Sequence, residues 1–91
     1  MKESTIQRHI MDYLTSHGAY VFKAVGNPMQ RAGTPDLLVC WEGRFVGLEI
    51  KQPGEKATPV QLHELGRIEG AGGVAAVVDS VEATIGVLAA A

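Results

Sequence analysis

The chain has 91 residues, 46% of them apolar, and a mean hydropathy of +0.10. That suffices for one domain with its own core. Such a domain buries only about 60–65% of the surface its unfolded chain exposes, so self-association would help it. A formal charge of −2 argues against a protein that grips nucleic acid by bulk charge, and 5% aromatic residues argue against a large stacking platform for bases.

The N-terminus, Met1-Lys2-Glu3-Ser4, is polar and lacks the apolar run of a secretion signal. Ile6, Ile10, Tyr13 and Leu14 recur at helical spacing and predict a helix over about 3–17, stopped by Gly18. Glu3 lies three residues before Ile6 and seven before Ile10, so it extends the buried stripe of that helix. A carboxylate there needs a partner or a metal, unless it is a first-turn acid favoured by the helix dipole.

A strand is expected over 19–25, then a breaker-rich loop over 26–35. Residues 37–41 and 45–51 read as two strands joined by a tight turn at Glu42-Gly43-Arg44. The only cysteine, Cys40, rules out an internal disulfide and fits a reducing cytosol. It sits in an apolar run and reads as a small buried hydrophobe. Residues 52–57 form a polar loop.

Thr58-Pro59 opens a second helix, to about Glu69, with Thr as cap and Pro in the first turn. Gln61 shares its stripe with Leu65 and Ile68 and points inward, or is an ordinary solvated residue near a helix start. Val74 to Val78 is a buried strand, and Asp79-Ser80 caps a last helix over about 81–90. That helix is apolar through Val81, Ile85 and Leu88. It packs on the sheet or completes a dimer interface. No apolar stretch is long enough to span a bilayer, and a cytoplasmic protein is expected. The order is α-β-β-β-α-β-α, one α/β domain over 1–91 with a mixed central sheet flanked by helices.

The chemistry concentrates on Asp36, Glu49 and Lys51. Alternation along a strand sends Glu49 and Lys51 to one face and Val46, Leu48 and Ile50 to the other. A phosphodiester resists hydrolysis because its negative charge repels hydroxide and grows at the phosphorane. A hard cation held by oxygen ligands answers both problems. Asp36 and Glu49 supply carboxylates from neighbouring strands, and the backbone carbonyl of Ile50 is a third donor. Lys51 would position the attacking water or offset charge at the phosphorane. One bound Mg²⁺ would also cancel the formal charge of −2 locally, leaving Lys and Arg to face the phosphates. The competing reading is a surface ion pair Glu49–Lys51 beside a turn at Pro35-Asp36.

Gly33-Thr34-Pro35-Asp36, then Glu49-Ile50-Lys51, resembles the PD-(D/E)xK nuclease superfamily, and most closely its small stand-alone VRR-NUC domains, which are similar to Holliday junction resolvases. The likeness spans nearly the whole chain, although no Val-Arg-Arg run is present. It implies a restriction-endonuclease-like αβββαβ core. It assigns the active site to Glu3, Asp36, Glu49 and Lys51, with Gln61 in support and Mg²⁺ or Mn²⁺ held by Asp36, Glu49, the Ile50 carbonyl and Glu3. Minimal domains of this kind are common in phages and bacteria.

Lys23, Arg31, Arg44, Lys56 and Lys2 flank the proposed site in sequence and are candidates for phosphate contacts. His9, His17 and His63 lack zinc spacing with Cys40. A four-way junction has approximate two-fold symmetry and needs two cuts, which a homodimer would supply. The expected activity is therefore metal-dependent endonucleolytic cleavage of branched DNA, Holliday junctions foremost. The alternatives are a non-catalytic DNA-binding or assembly module, and the same chemistry on flaps, ends or duplex DNA.

Overall fold

Two left-handed residues make the hairpin at the centre of the sheet. Glu42 (φ +47°) and Gly43 (φ +81°) form the two-residue loop, and Trp41 pairs directly with Arg44. Positive φ at both loop positions matches the right-handed twist of the flanking strands, so the turn closes without splaying them. The second strand thus begins at Arg44, inside the expected turn.

The structure is a computed structural model that describes residues 1–26 and 29–91; Asn27 and Pro28, within the loop expected over 26–35, lie outside the described residues. Its elements are α1 (Glu3–Ser16), β1 (Tyr20–Lys23), β2 (Leu37–Trp41), β3 (Arg44–Ile50), α2 (Pro59–Gly70), β4 (Val74–Val78) and α3 (Val81–Ala89). The strands lie in the order β1-β2-β3-β4. β1 and β2 pair antiparallel, as do β2 and β3, while β3 and β4 run parallel through the α2 crossover. This is the mixed sheet and the α-β-β-β-α-β-α order expected. β1 is shorter than expected, although Ala24 still donates its N–H to the Asp36 carbonyl at 2.9 Å. No helix among the described residues is long and apolar enough to cross a membrane.

The two faces of the sheet differ in what covers them. Leu37, Val39, Val46, Leu48, Ile50 and Val78 point to one face and meet Ile6, Ile10 and Leu14 of α1 and Leu88 of α3. Period-2 and period-3.6 patterns thus interlock in one core. α3 packs within the chain, against α1 and β4, although Ile85 stays exposed. On the other face, among the described strands, α2 packs on β3 and β4 alone. Ile68 there lies so near Gly47 that a Cβ at 47 would come within 2.6 Å of its Cδ1.

That half-covered face corrects one expectation. Cys40 is exposed, not buried. It alternates away from Val39 and Trp41, and α2 does not extend over β2.

Gly33 fixes the approach to β2. It sits at φ +81°, and a Cβ would meet the Val60 carbonyl oxygen at 2.7 Å and Val60 Cγ1 at 2.8 Å. Both the backbone conformation and the contact with α2 demand glycine. Gly33→Ala is expected to destabilise the protein by about 1–3 kcal/mol, read from urea or thermal unfolding. Melting identical to wild type would show that the loop relaxes freely.

Candidate active site

Antiparallel register assembles the site. Leu37 pairs with Leu48, so the next step along the ladder sets Asp36 opposite Glu49, both on the face away from the α1 core. The Ile50 N–H donates to Asp36 Oδ2 at 2.8 Å, which holds the carboxylate at the end of β2. The next residue turns the other way: the Lys51 N–H donates to the Val78 carbonyl at 3.0 Å. A strand residue sends its N–H and C=O to the same side. The Ile50 carbonyl therefore points toward Asp36, where a third oxygen donor was expected.

Glu49 is only 2% exposed. Its Oε1 is buried with no hydrogen-bond partner, while Oε2 lies 3.8 Å from Lys51 Nζ. A buried, unpartnered carboxylate oxygen is costly in a native fold. Its pKa is pushed up to about 8, first by burial, then by the neighbouring Asp36 carboxylate, with Lys51 opposing and Glu3 adding repulsion. Glu3, half-buried in the first turn of α1, thus acts on the site through its charge.

These residues fit a hard divalent cation. The orphaned oxygen needs a positive partner, the facing Asp36 supplies a second carboxylate, and all the donors are oxygen. Among the described residues, no group of three or more acidic, histidine or cysteine side chains is placed to hold a metal ion. A set of two carboxylates and a carbonyl leaves positions open to water and phosphate, as such cations prefer.

Gln61 has a partner at the start of its own helix. Its Oε1 accepts the Thr58 N–H at 2.9 Å, and Thr58 Oγ1 accepts the Gln61 N–H at 3.2 Å. This capping box was legible as Thr58-x-x-Gln61. Its amide oxygen is therefore engaged at the start of α2. Gln61→Glu keeps an acceptor for the cap and is expected to melt within about 0.5 kcal/mol of wild type, while Gln61→Ala loses about 1 kcal/mol. Equal melting of the two would deny the cap.

The basic candidates scatter. Arg31 turns to α2, where its Nη1 lies 3.3 Å from Glu64 Oε1, and Arg67 Nη1 holds Glu64 Oε2 at 3.3 Å. Burial raises the Glu64 pKa, but Arg31 and then Arg67 outweigh it and hold the group below the usual carboxylate range. Glu64 and Arg67 are legible as an i,i+3 pair on α2, but Arg31 lies 33 positions from Glu64 and had no local signal. It ties the loop before Asp36 to α2. Lys23 pairs with Leu37 at the site end of the sheet but on the opposite face. Lys56 is exposed in the loop after Lys51, and Lys2 is exposed at the α1 N-cap. Arg44 stands at the far end of β3, five residues and roughly 16 Å from Glu49, so the structure does not bring it to the site. Gln52, one residue past Lys51, donates from Nε2 to the Met1 carbonyl at 2.7 Å and ties that loop to the start of the chain.

No family model matches the chain. It is 37% identical over 81 residues to "Putative nuclease p44" of Acyrthosiphon pisum secondary endosymbiont phage 1, covering 88% of this chain and 85% of that protein. Among solved structures, a VRR_NUC domain superposes with a TM-score of 0.80 at 28% identity, covering 96% of this chain and 94% of the other. A second VRR_NUC domain protein matches the fold with a TM-score of 0.77 at 20% identity, over 99% and 87% of the two chains. With that phage relative aligned over most of its length and this fold shared end to end, the chain belongs to the VRR-NUC nucleases.

Proposed function

We propose that this nuclease is a Mg²⁺- or Mn²⁺-dependent endonuclease that hydrolyses phosphodiester bonds in branched DNA, four-way junctions foremost, as a cytoplasmic homodimer. The single observation that carries the metal dependence is the buried Glu49 carboxylate, opposite Asp36 in the ladder, whose Oε1 has no hydrogen-bond partner. Asp36, Glu49 and the Ile50 carbonyl would hold the cation, with Glu3 adding negative charge from α1. When bound, the cation withdraws charge from the phosphoryl group and favours ionisation of a nearby water.

The protein's own groups do the rest. Asp36 is held in place by the Ile50 N–H, so its carboxylate needs little reorganisation. Lys51 lies at the mouth of the site, its side chain 16% exposed, against a carboxylate that fixes its direction. An ammonium so placed orients the attacking water and offsets charge growing on the phosphorane oxygens. Lys56, in the loop just beyond, and Lys23 and Lys2 near the site end of the molecule, would meet flanking phosphates. Arg31 is spoken for by Glu64 and would make a phosphate contact only with its remaining N–H groups.

A preference for junctions would match such a homodimer, because two cuts across a two-fold branch require two sites at fixed spacing. The test compares labelled four-way junctions, flaps, linear duplex and single strands, each with EDTA, Mg²⁺ or Mn²⁺. The expected result is paired nicking of the junction with either metal and none with EDTA. Equal cutting of all four substrates would sink the branch preference and leave the chemistry standing. Junction binding without nicking under any metal would point to an assembly module.

A further inference from the structure

A second cluster of charge lies on the face of the sheet that bears Asp36 and Glu49. Phe45 and Glu49 alternate to that same face, four residues apart on β3. Beside Phe45 a groove opens between β3 and α2, lined by Arg31, Glu64, Arg67 and Ile68. The Glu64 side chain is only 11% exposed there, and one Nη1 from each arginine reaches a different oxygen of its carboxylate at 3.3 Å. The arginines themselves face water, Arg31 with its side chain 61% exposed and Arg67 with 53%.

We propose that Arg31 and Arg67, held as a pair by Glu64, bind one backbone phosphate of the DNA to one side of the cut. This rests on the DNA-cleaving reading above and adds an anchor remote from the metal ligands. A brace between the loop before Asp36 and α2 needs a single arginine. Arg31 supplies it, reaching Glu64 across 33 positions. Arg67 lies on the same helix as Glu64 and adds no tertiary link, yet it brings a second positive charge to the same carboxylate. Among the described residues neither arginine has another ionic partner. Two guanidiniums on one carboxylate leave one positive charge uncompensated, and a phosphodiester carries the single negative charge that balances it. Each guanidinium spends one nitrogen on Glu64 and keeps its other donors for phosphate oxygens.

The strand sets the distance. Phe45, at the edge of the groove, stands four residues from Glu49, roughly 13 Å along β3. DNA rises about 3.4 Å per nucleotide of one strand, so the phosphate in the groove would lie about four nucleotides from the scissile one. Arg31 belongs to the loop that leads into Asp36, and that short segment would reach the backbone at both places. A contact of this kind reads no base edge. It fixes the register and direction of an arm and leaves its sequence free. It also lets a chain with a formal charge of −2 hold DNA, through two placed guanidiniums instead of bulk charge. A carboxylate from a protein partner would suit the same charge, but the groove shares its face with the acid pair that would hold the metal, and that favours nucleic acid.

The experiment is fluorescence anisotropy of a labelled four-way junction with the full chain in EDTA, from about 0.05 to about 0.3 M salt. Arg31→Gln, Arg67→Gln and the double variant are compared with Arg44→Gln, which removes a charge that pairs with Trp41 and so lies on the opposite face. Loss of one phosphate contact flattens the plot of log affinity against log salt by about 0.9, an affinity loss of about eightfold at 0.1 M salt. The expected result is that loss in Arg31→Gln and in Arg67→Gln, little more in the double variant because both serve one phosphate, and wild-type behaviour in Arg44→Gln. Arg67→Gln should melt like wild type, since an exposed i,i+3 pair contributes little, so it carries the test even where Arg31→Gln loosens the loop. Its single-turnover cleavage at saturating protein should be unchanged. Wild-type affinity and slope in Arg67→Gln overturn the site and leave the triad a brace. A loss in Arg67→Gln no larger than in Arg44→Gln overturns it as bulk charge. The expected loss in a protein that nicks no substrate with any metal upholds the site and overturns the cleavage reading. A wild type that binds no junction overturns both.

Discussion

Lys51→Ala is expected to fold like the wild type and to cleave its preferred DNA about 10²–10³-fold more slowly with saturating Mg²⁺. Lys51 follows the last residue of β3, and its backbone N–H bond to Val78 does not depend on the side chain. Stability is therefore spared. The chemistry is not, because no other cation contacts Glu49 among the described residues. The ammonium also holds down the Glu49 pKa, so its loss leaves that carboxyl more firmly protonated and weakens metal binding near neutral pH. Raising the pH from 7 to 9 should then recover part of the lost rate in Lys51→Ala. Lys51→Arg should keep the charge yet lose geometry, and fall between the two. Single-turnover cleavage of a labelled junction measures all three. Wild-type rates from purified Lys51→Ala would remove the lysine from the mechanism.

The second large effect concerns metal, pH and stability together. Glu49 titrates near 8 in the folded chain against 4.5 ordinarily, because burial and Asp36 disfavour its anion. Between those two values the unfolded chain binds fewer protons at this position than the folded one, so stability falls as pH rises. The metal-free protein should accordingly lose on the order of a few kcal/mol, attributable to Glu49, between about pH 5 and pH 8. Mg²⁺ or Mn²⁺ should reverse that loss, most strongly at pH 8, where the anion is called for and the cation satisfies it. Glu49→Gln should abolish both the slope assigned to this residue and the response to metal. It should melt higher than wild type in EDTA at pH 8, and it should not cleave. Thermal melts of the two proteins in EDTA and in Mg²⁺, at pH 5, 6.5 and 8, supply the comparison. A metal-induced rise in melting temperature that is the same size in Glu49→Gln would place the cation elsewhere.

Both effects trace to residues readable in one dimension. Period-2 alternation set Glu49 against Val46, Leu48 and Ile50, and Pro35-Asp36 sat one hairpin away. The two-residue loop Glu42-Gly43 sets Asp36 opposite Glu49, whereas the three-residue turn expected at Glu42-Gly43-Arg44 would have put it opposite Ile50. Gln61, open in sequence between an inward and a solvated reading, is half-buried and engaged with Thr58 in a capping box whose Thr-x-x-Gln signature lies in the sequence. Cys40 departs from expectation for a different reason. An apolar run marks a strand, and cannot say which of its two faces another element will cover.

The sequence by itself determined the order of helices and strands, the hairpin, the caps, and the coming together of an acid pair with a lysine. All of these depend on neighbours a few residues apart, where backbone geometry and alternation leave little freedom. Only the tertiary structure decided that α2 stops at β3 and β4, that Arg31 turns to Glu64, that Arg44 stands far from the site, and that the face over β2 remains open. Those outcomes depend on the docking of segments distant along the chain, a balance of packing and exposure that no local pattern encodes.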